Sequence, residues 1–133
     1  MANKVITESY SAPRKHILIA NDSYMVTLSA IIKATGVTAG TDGRKVVKAG
    51  TPLYGDIEKR DTGFTIAGSQ GASPVAVLYS DVDVTAGDDN GTIILAGCVD
   101  LLKLESSVKT ALTSAIKTSL RGLGIIFVEG SAV

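Results

Sequence analysis

Few residues in this chain could carry out chemistry. One histidine, His16, and one cysteine, Cys98, are present in 133 residues. A single imidazole excludes a zinc site built from several histidines and most histidine-based dyads. Ala67-Gly-Ser-Gln-Gly71 approaches a nucleophile elbow, but an elbow needs a helix straight after the serine, and Pro74 with its polar neighbours opposes one. His16 also precedes Ser69, the wrong chain order for that class. Cys98 falls in the apolar run 93–99, where a thiol packs as a small hydrophobe. No catalytic residue, cofactor site or metal site is expected.

Asp81, Asp83, Asp88, Asp89 and Asn90 offer hard oxygens for calcium, yet they miss the EF-hand spacing and its bidentate glutamate. They read as a turn plus a solvated strand edge. Arg44, Lys45 and Lys48 form a basic cluster, but two Phe, four Tyr and no Trp leave little for base stacking. Thirteen basic and thirteen acidic residues cancel, which argues against general attraction to nucleic acid or an anionic membrane. The neutrality conceals blocks. Residues 1–60 hold 9 Lys/Arg against 5 Asp/Glu, residues 61–105 hold 1 against 7, and residues 106–133 hold 3 against 1. Such blocks either steer subunits together or form solvated surface.

The elements around these residues point to strands. Fourteen glycines among many Val, Ile and Thr suit short strands joined by tight turns. Residues 1–14 show no sustained periodicity and read as a flexible N-terminal arm. Beyond it, residues 15–133 read as one β-rich domain, the length of a common single core. Strand-length runs lie at 16–20 and 24–34, followed by a glycine-punctuated loop and the hairpin signal Asp42-Gly43. Further short strands are expected at 44–48, 53–57 and 64–67, with a turn at Ala49-Gly-Thr-Pro52. The clearest hairpin pairs residues 75–84 with 92–99 across the turn formers of 85–91. Val108, Ala111, Leu112, Ala115, Ile116 and Leu120 recur at helical spacing, predicting one amphipathic helix over 106–121. Ser106 or Ser107 would cap its start and Gly122 its end. A last strand is expected at 125–128. The expected fold is α+β and mainly β: a compact, short-stranded, barrel-like sheet with one C-terminal helix. No apolar run reaches bilayer length and no signal peptide is visible, so a soluble protein made in the cytosol is expected.

Two segments, Pro74-Val-Ala-Val-Leu-Tyr-Ser-Asp-Val-Asp-Val-Thr-Ala-Gly-Asp88 and Gly91-Thr-Ile-Ile-Leu-Ala-Gly-Cys-Val-Asp-Leu-Leu-Lys-Leu104, resemble the lambda-type head decoration proteins and related phage head-fibre proteins. That pattern is a strand ending in D-V-D-V/A-T-A-G-D, a turn, then a strand leading through G-x-V/A to a short helical segment. Ala49-Gly-Thr-Pro-Leu53 is similar to the family's strand opening, and the resemblance spans about residues 45–128. It implies a non-enzymatic protein of the virion, made in the host cytoplasm, that trimerises at three-fold positions on a bacteriophage capsid and stabilises the shell. The implied partner is the major capsid protein. The arm would dock on it through Val5, Ile6, Tyr10 and Pro13. Asp81, Asp83 and Asp88 match motif positions and would serve the fold. Residues 24–43 depart from the pattern. An alternative is a β-sandwich module of a phage structural protein that binds a ligand or carbohydrate, although sugar platforms want more aromatic faces. A small hydrolase using Ser69 or Cys98 is the remotest reading.

Overall fold

The run Thr-Ile-Ile-Leu at 92–95 places two large β-branched residues side by side, so one must face each side of any strand they form. The computed structural model, which describes Ile17 and residues 25–68 and 72–129, puts them in the long strand of the molecule. Taken in chain order, the strands are β1 (Val26–Ile32), β2 (Val46–Val47), β3 (Pro52–Leu53), β4 (Ala76–Leu78), β5 (Val82–Asp83), β6 (Asp89–Asp100) and β7 (Ile125–Val128). Two helices, α1 (Ser106–Ala111) and α2 (Ser114–Arg121), lie between β6 and β7. The chain is therefore α+β and mainly β.

Ile93 and Ile94 are both fully buried, and they enter different clusters. Ile94 joins Val77, Val99, Leu120 and Ile125 with the helical side chains Val108 and Leu112. Ile93 joins Ile32, Leu53, Phe64, Leu78 and Val84. Neighbours on β4 divide in the same way, Val77 to the first cluster and Leu78 to the second. The sheet is thus covered on both faces, which is why these strands read as continuous apolar runs instead of alternating ones.

β6 organises the sheet. β1 runs antiparallel to it from Thr27 opposite Ile94 to Ile32 opposite Asp89, with a register shift between Val26 and Thr27. β4 is antiparallel to it through Val77 opposite Ile94 and Leu78 opposite Ile93, and β3 pairs with β4. β7 is parallel to its far end, Gly97 opposite Ile125 to Asp100 opposite Val128. The expected terminal strand forms with the expected bounds.

The expected hairpin is only partly present. Residues 76–78 pair with β6, but Val82 and Asp83 leave the sheet and pair with Val47 and Val46 of β2 in a separate two-stranded ribbon. That ribbon buries Val47, Val82 and Val84. The Asp42-Gly43 turn does close, with Gly43 N–H donating to the Gly40 carbonyl, although β2 finds its partner elsewhere. Pro52 and Leu53 form the β3 strand, while Ile57 lies in a turn, 45% exposed. Phe64 and Thr65 make single bridges to Ile32 and Tyr54 in place of a strand over 64–67.

The single expected helix is two. Leu112 takes ψ 79°, and Thr113 becomes the N-cap of α2, its hydroxyl accepting from Ile116 N at 3.3 Å. A threonine hydroxyl favours such a cap over a helix interior, and Leu112 is buried at the corner it creates. Glu105, not a serine, occupies the cap position of α1, without a side-chain cap bond. Gly122 ends α2 in a right-handed conformation, and the left-handed residue is Gly124, φ 103°, just before β7. The turn at 49–50 also needs its glycine. Gly50 has φ 92°, and a Cβ there would lie 2.5 Å from Leu104 Cδ2. No described helix is long and apolar enough to cross a membrane.

Candidate docking surface

Val5, Ile6, Tyr10 and Pro13, the expected docking residues, lie outside the described residues, as do His16 and Ser69. The first described residue, Ile17, is fully buried in the helix-side core. Its carbonyl accepts from Asp100 N at 2.7 Å. The chain at Ile17 is thereby fastened to the far end of β6. Asp100 itself is buried, and its Oδ1 accepts from Leu102 N at 2.9 Å, starting the turn toward α1.

The aspartates of the 81–88 segment each hold a different part of the chain. Asp81 Oδ1 accepts from Ala49 N at 2.8 Å, and Asp88 Oδ1 accepts from Ala34 N at 2.9 Å. Asp83 accepts from the Thr85 hydroxyl at 2.5 Å and Thr85 N at 2.9 Å, and it pairs with the Arg44 guanidinium. Thr85 in turn accepts from Lys45 N at 2.8 Å. This clasp holds β2 beside β5 and explains why the ribbon leaves the main sheet. The sequence expectation of solvated carboxylates holds for Asp81 and Asp88, which are exposed, but each also anchors a distant backbone amide. Among the described residues no group of three or more acidic, His or Cys side chains is placed to hold a metal ion.

The Thr85 hydroxyl, then the Thr85 amide and Arg44, favour the charged form of Asp83 and lower its pKa from 3.8 to about 2. A depressed carboxylate contributes stability that is present above the unfolded value of 3.8 and is lost as pH falls through about 2. Thr85→Val should therefore return the Asp83 titration toward 3.8 and move acid unfolding to higher pH. Carbon-13 NMR of the side-chain carboxyl measures this directly, and an unmoved titration would remove the hydroxyl as the main cause.

Cys98 lies on β6 opposite Ile126, half-buried and without a disulfide. Its setting is that of a packed strand residue. The described surface carries shallow grooves open to solvent. One, of about 290 Å³, runs between α2 and β7, lined by Ser114, Lys117, Thr118 and Arg121 of the helix and by Ile126 and Phe127 of the strand. Those two cations stand one helical turn apart, and neither has an ion pair among the described residues. Leu123, 52% exposed, follows two residues beyond Arg121. Another groove, about 140 Å³, is mainly apolar and lies between α1 and β2. In sequence, Lys117 and Arg121 fall near the C-terminus of the expected helix, where cations suit the negative pole of its dipole. Their spacing of four signals a shared face, but the groove depends on β7 packing beside α2, which no local pattern encodes.

Four carboxylates of the acidic block lie toward the other end of β6. Asp81, Asp83, Asp88 and Asp89 gather around β5, the turn after it and the start of β6. Asp88, Asp89 and Asn90 are exposed. The described surface offers sheet edges, a cationic groove and an acidic turn. No protein-family model matches the chain, and no curated protein sequence matches it significantly.

Proposed function

We propose that this chain is a non-enzymatic decoration protein of a phage head, a homotrimer that binds the major capsid protein on the outer surface of the virion and stabilises the shell. The observation that carries this reading is the role of the D-V-D-V-T-A-G-D segment. Its three motif carboxylates, Asp81, Asp83 and Asp88, are engaged with Ala49, Thr85 with Arg44, and Ala34. A segment that carries the family resemblance thus works as an internal fastener, as the resemblance implies, and its carboxylates serve the fold in place of a reaction.

The physical mechanism is linkage. A protein that binds the assembled lattice and not free capsid subunits lowers the free energy of the lattice by mass action, and many copies multiply a modest contact. The test is to mix the purified chain with undecorated mature heads and image them by cryo-electron microscopy. Ordered added density on the shell, with raised resistance of the heads to heat, is the expected result. Bare heads at every protein concentration would overturn the reading.

A further inference from the structure

We propose that copies of this chain join head to tail, the groove between α2 and β7 of one copy receiving the acidic turn at residues 85–89 of the next. Three observations support the contact. The groove is lined from α2 by two cations, Lys117 and Arg121, that have no ion pair among the described residues, and from β7 by Ile126 and Phe127. The turn is exposed at Thr85, Ala86, Asp88 and Asp89. Asp89 meets no described cation; its Oδ1 accepts only from the adjoining Asn90 N, at 2.8 Å.

The third observation is placement. The acidic turn leads into the first residue of β6, whereas β7 pairs with the last four residues of that strand. Asp89 and Cys98, which sits opposite Ile126, are separated by roughly 30 Å of extended chain. A single copy cannot bring its own turn to its own groove. Joined head to tail, two complementary patches at opposite ends of one strand make a heterologous contact, which generates a closed ring or an open filament. Opposite charge sets the approach and register. The inference rests on the decoration reading only for the number of copies in the ring; the contact itself needs no capsid.

The experiment uses the full chain, with light scattering and sedimentation velocity over a concentration series at about 50 mM and about 500 mM salt, which brackets strong and weak screening. Wild-type protein should associate, more weakly in high salt. Arg121→Glu and Asp89→Lys should each raise the dissociation constant by about tenfold or more, in line with reversal of a docking charge. The double variant should regain association, and a mixture of the two single variants should associate more tightly than either does alone. Circular dichroism of each variant establishes that its fold is retained. Asp89 is chosen over Asp88 because Asp88 anchors Ala34.

A wild-type chain that stays monomeric throughout would overturn the proposal. So would association that ignores both reversals, or a double variant no better than the single ones; the groove would then belong to an acidic segment of another protein. Attachment to heads is scored separately. Assembly without attachment counts against decoration and leaves this contact standing, whereas attachment by a monomer does the reverse.

Discussion

Removing Ala2 to Pro13 should abolish attachment to phage heads while moving the thermal transition by no more than about 2 °C, less than a loss of 1 kcal/mol causes in a domain of this size. The reasoning starts from where the described core begins. Ile17 is its first member, and the bond from Asp100 N to the Ile17 carbonyl lies beyond the deletion. Both core clusters are otherwise drawn from residues 30–125, so the described packing survives the truncation. The decoration reading assigns docking to the deleted stretch. Val5, Ile6, Tyr10 and Pro13 would supply side-chain anchors while the backbone adds to a sheet edge of the capsid protein. Binding is measured by co-sedimentation with undecorated heads, and stability by calorimetry on the same preparations. Attachment that survives truncation would move the docking surface onto the folded domain, with the grooves beside α2 and α1 as the next surfaces to mutate.

The class of this fold was legible because its signals are local. The run that forms β1 and the Ile125–Val128 strand depend on neighbours in sequence, and both formed within the expected spans. The misread hairpin shows where local signals stop. Val82 and Asp83 continue the alternation of a strand, yet their partner is fixed by the Asp83 pair with Arg44 and by the Asp81 bond to Ala49 N, both contacts across more than thirty residues. Nothing near residue 82 announces either. The helix break has a different cause. The apolar stripe continues past Leu112 at helical spacing, and period alone cannot register that Thr113 has become a cap.

The docking surfaces were legible in charge and not in shape. Block charges at 61–105 and 106–133 follow directly from composition. That Asp81, Asp83, Asp88 and Asp89 lie near the start of β6 while Lys117 and Arg121 lie near its end required the topology, since it is the parallel β6–β7 pairing that brings Phe127 beside those two cations. The arm residues are the converse case: they were singled out through a resemblance, and their test lies in attachment and not in the described packing.

Phe64→Ala should lower folding stability by about 3–5 kcal/mol, the range for emptying a buried aromatic site. Phe64 is fully buried and is one of only two phenylalanines in the chain. It belongs to no strand, so its position is held by two backbone bonds to β1 and its flank. Phe64 N donates to the Ile31 carbonyl at 2.8 Å, and its own carbonyl accepts from Lys33 N at 2.9 Å. The ring fills the space between Leu53, Leu78 and Ile93 of the second core, and it presses so closely on Gly55 that a Cβ there would stand 2.7 Å from Phe64 Cδ2. Backbone fixed on one side by β1 and on the other by a glycine turn leaves the site little room to collapse, which favours the upper part of the range. Phe64→Leu, which keeps most of the volume, should lose about half as much or less. Since a domain's whole stability is about 5–15 kcal/mol, the alanine variant should sit near its unfolding threshold at 37 °C. Urea titration checks this: a lowered midpoint at unchanged slope is the expected result. A loss below about 1 kcal/mol would mean that the second core closes over the gap, and that β3 and the Phe64 segment are less firmly seated on the sheet than their bonds indicate.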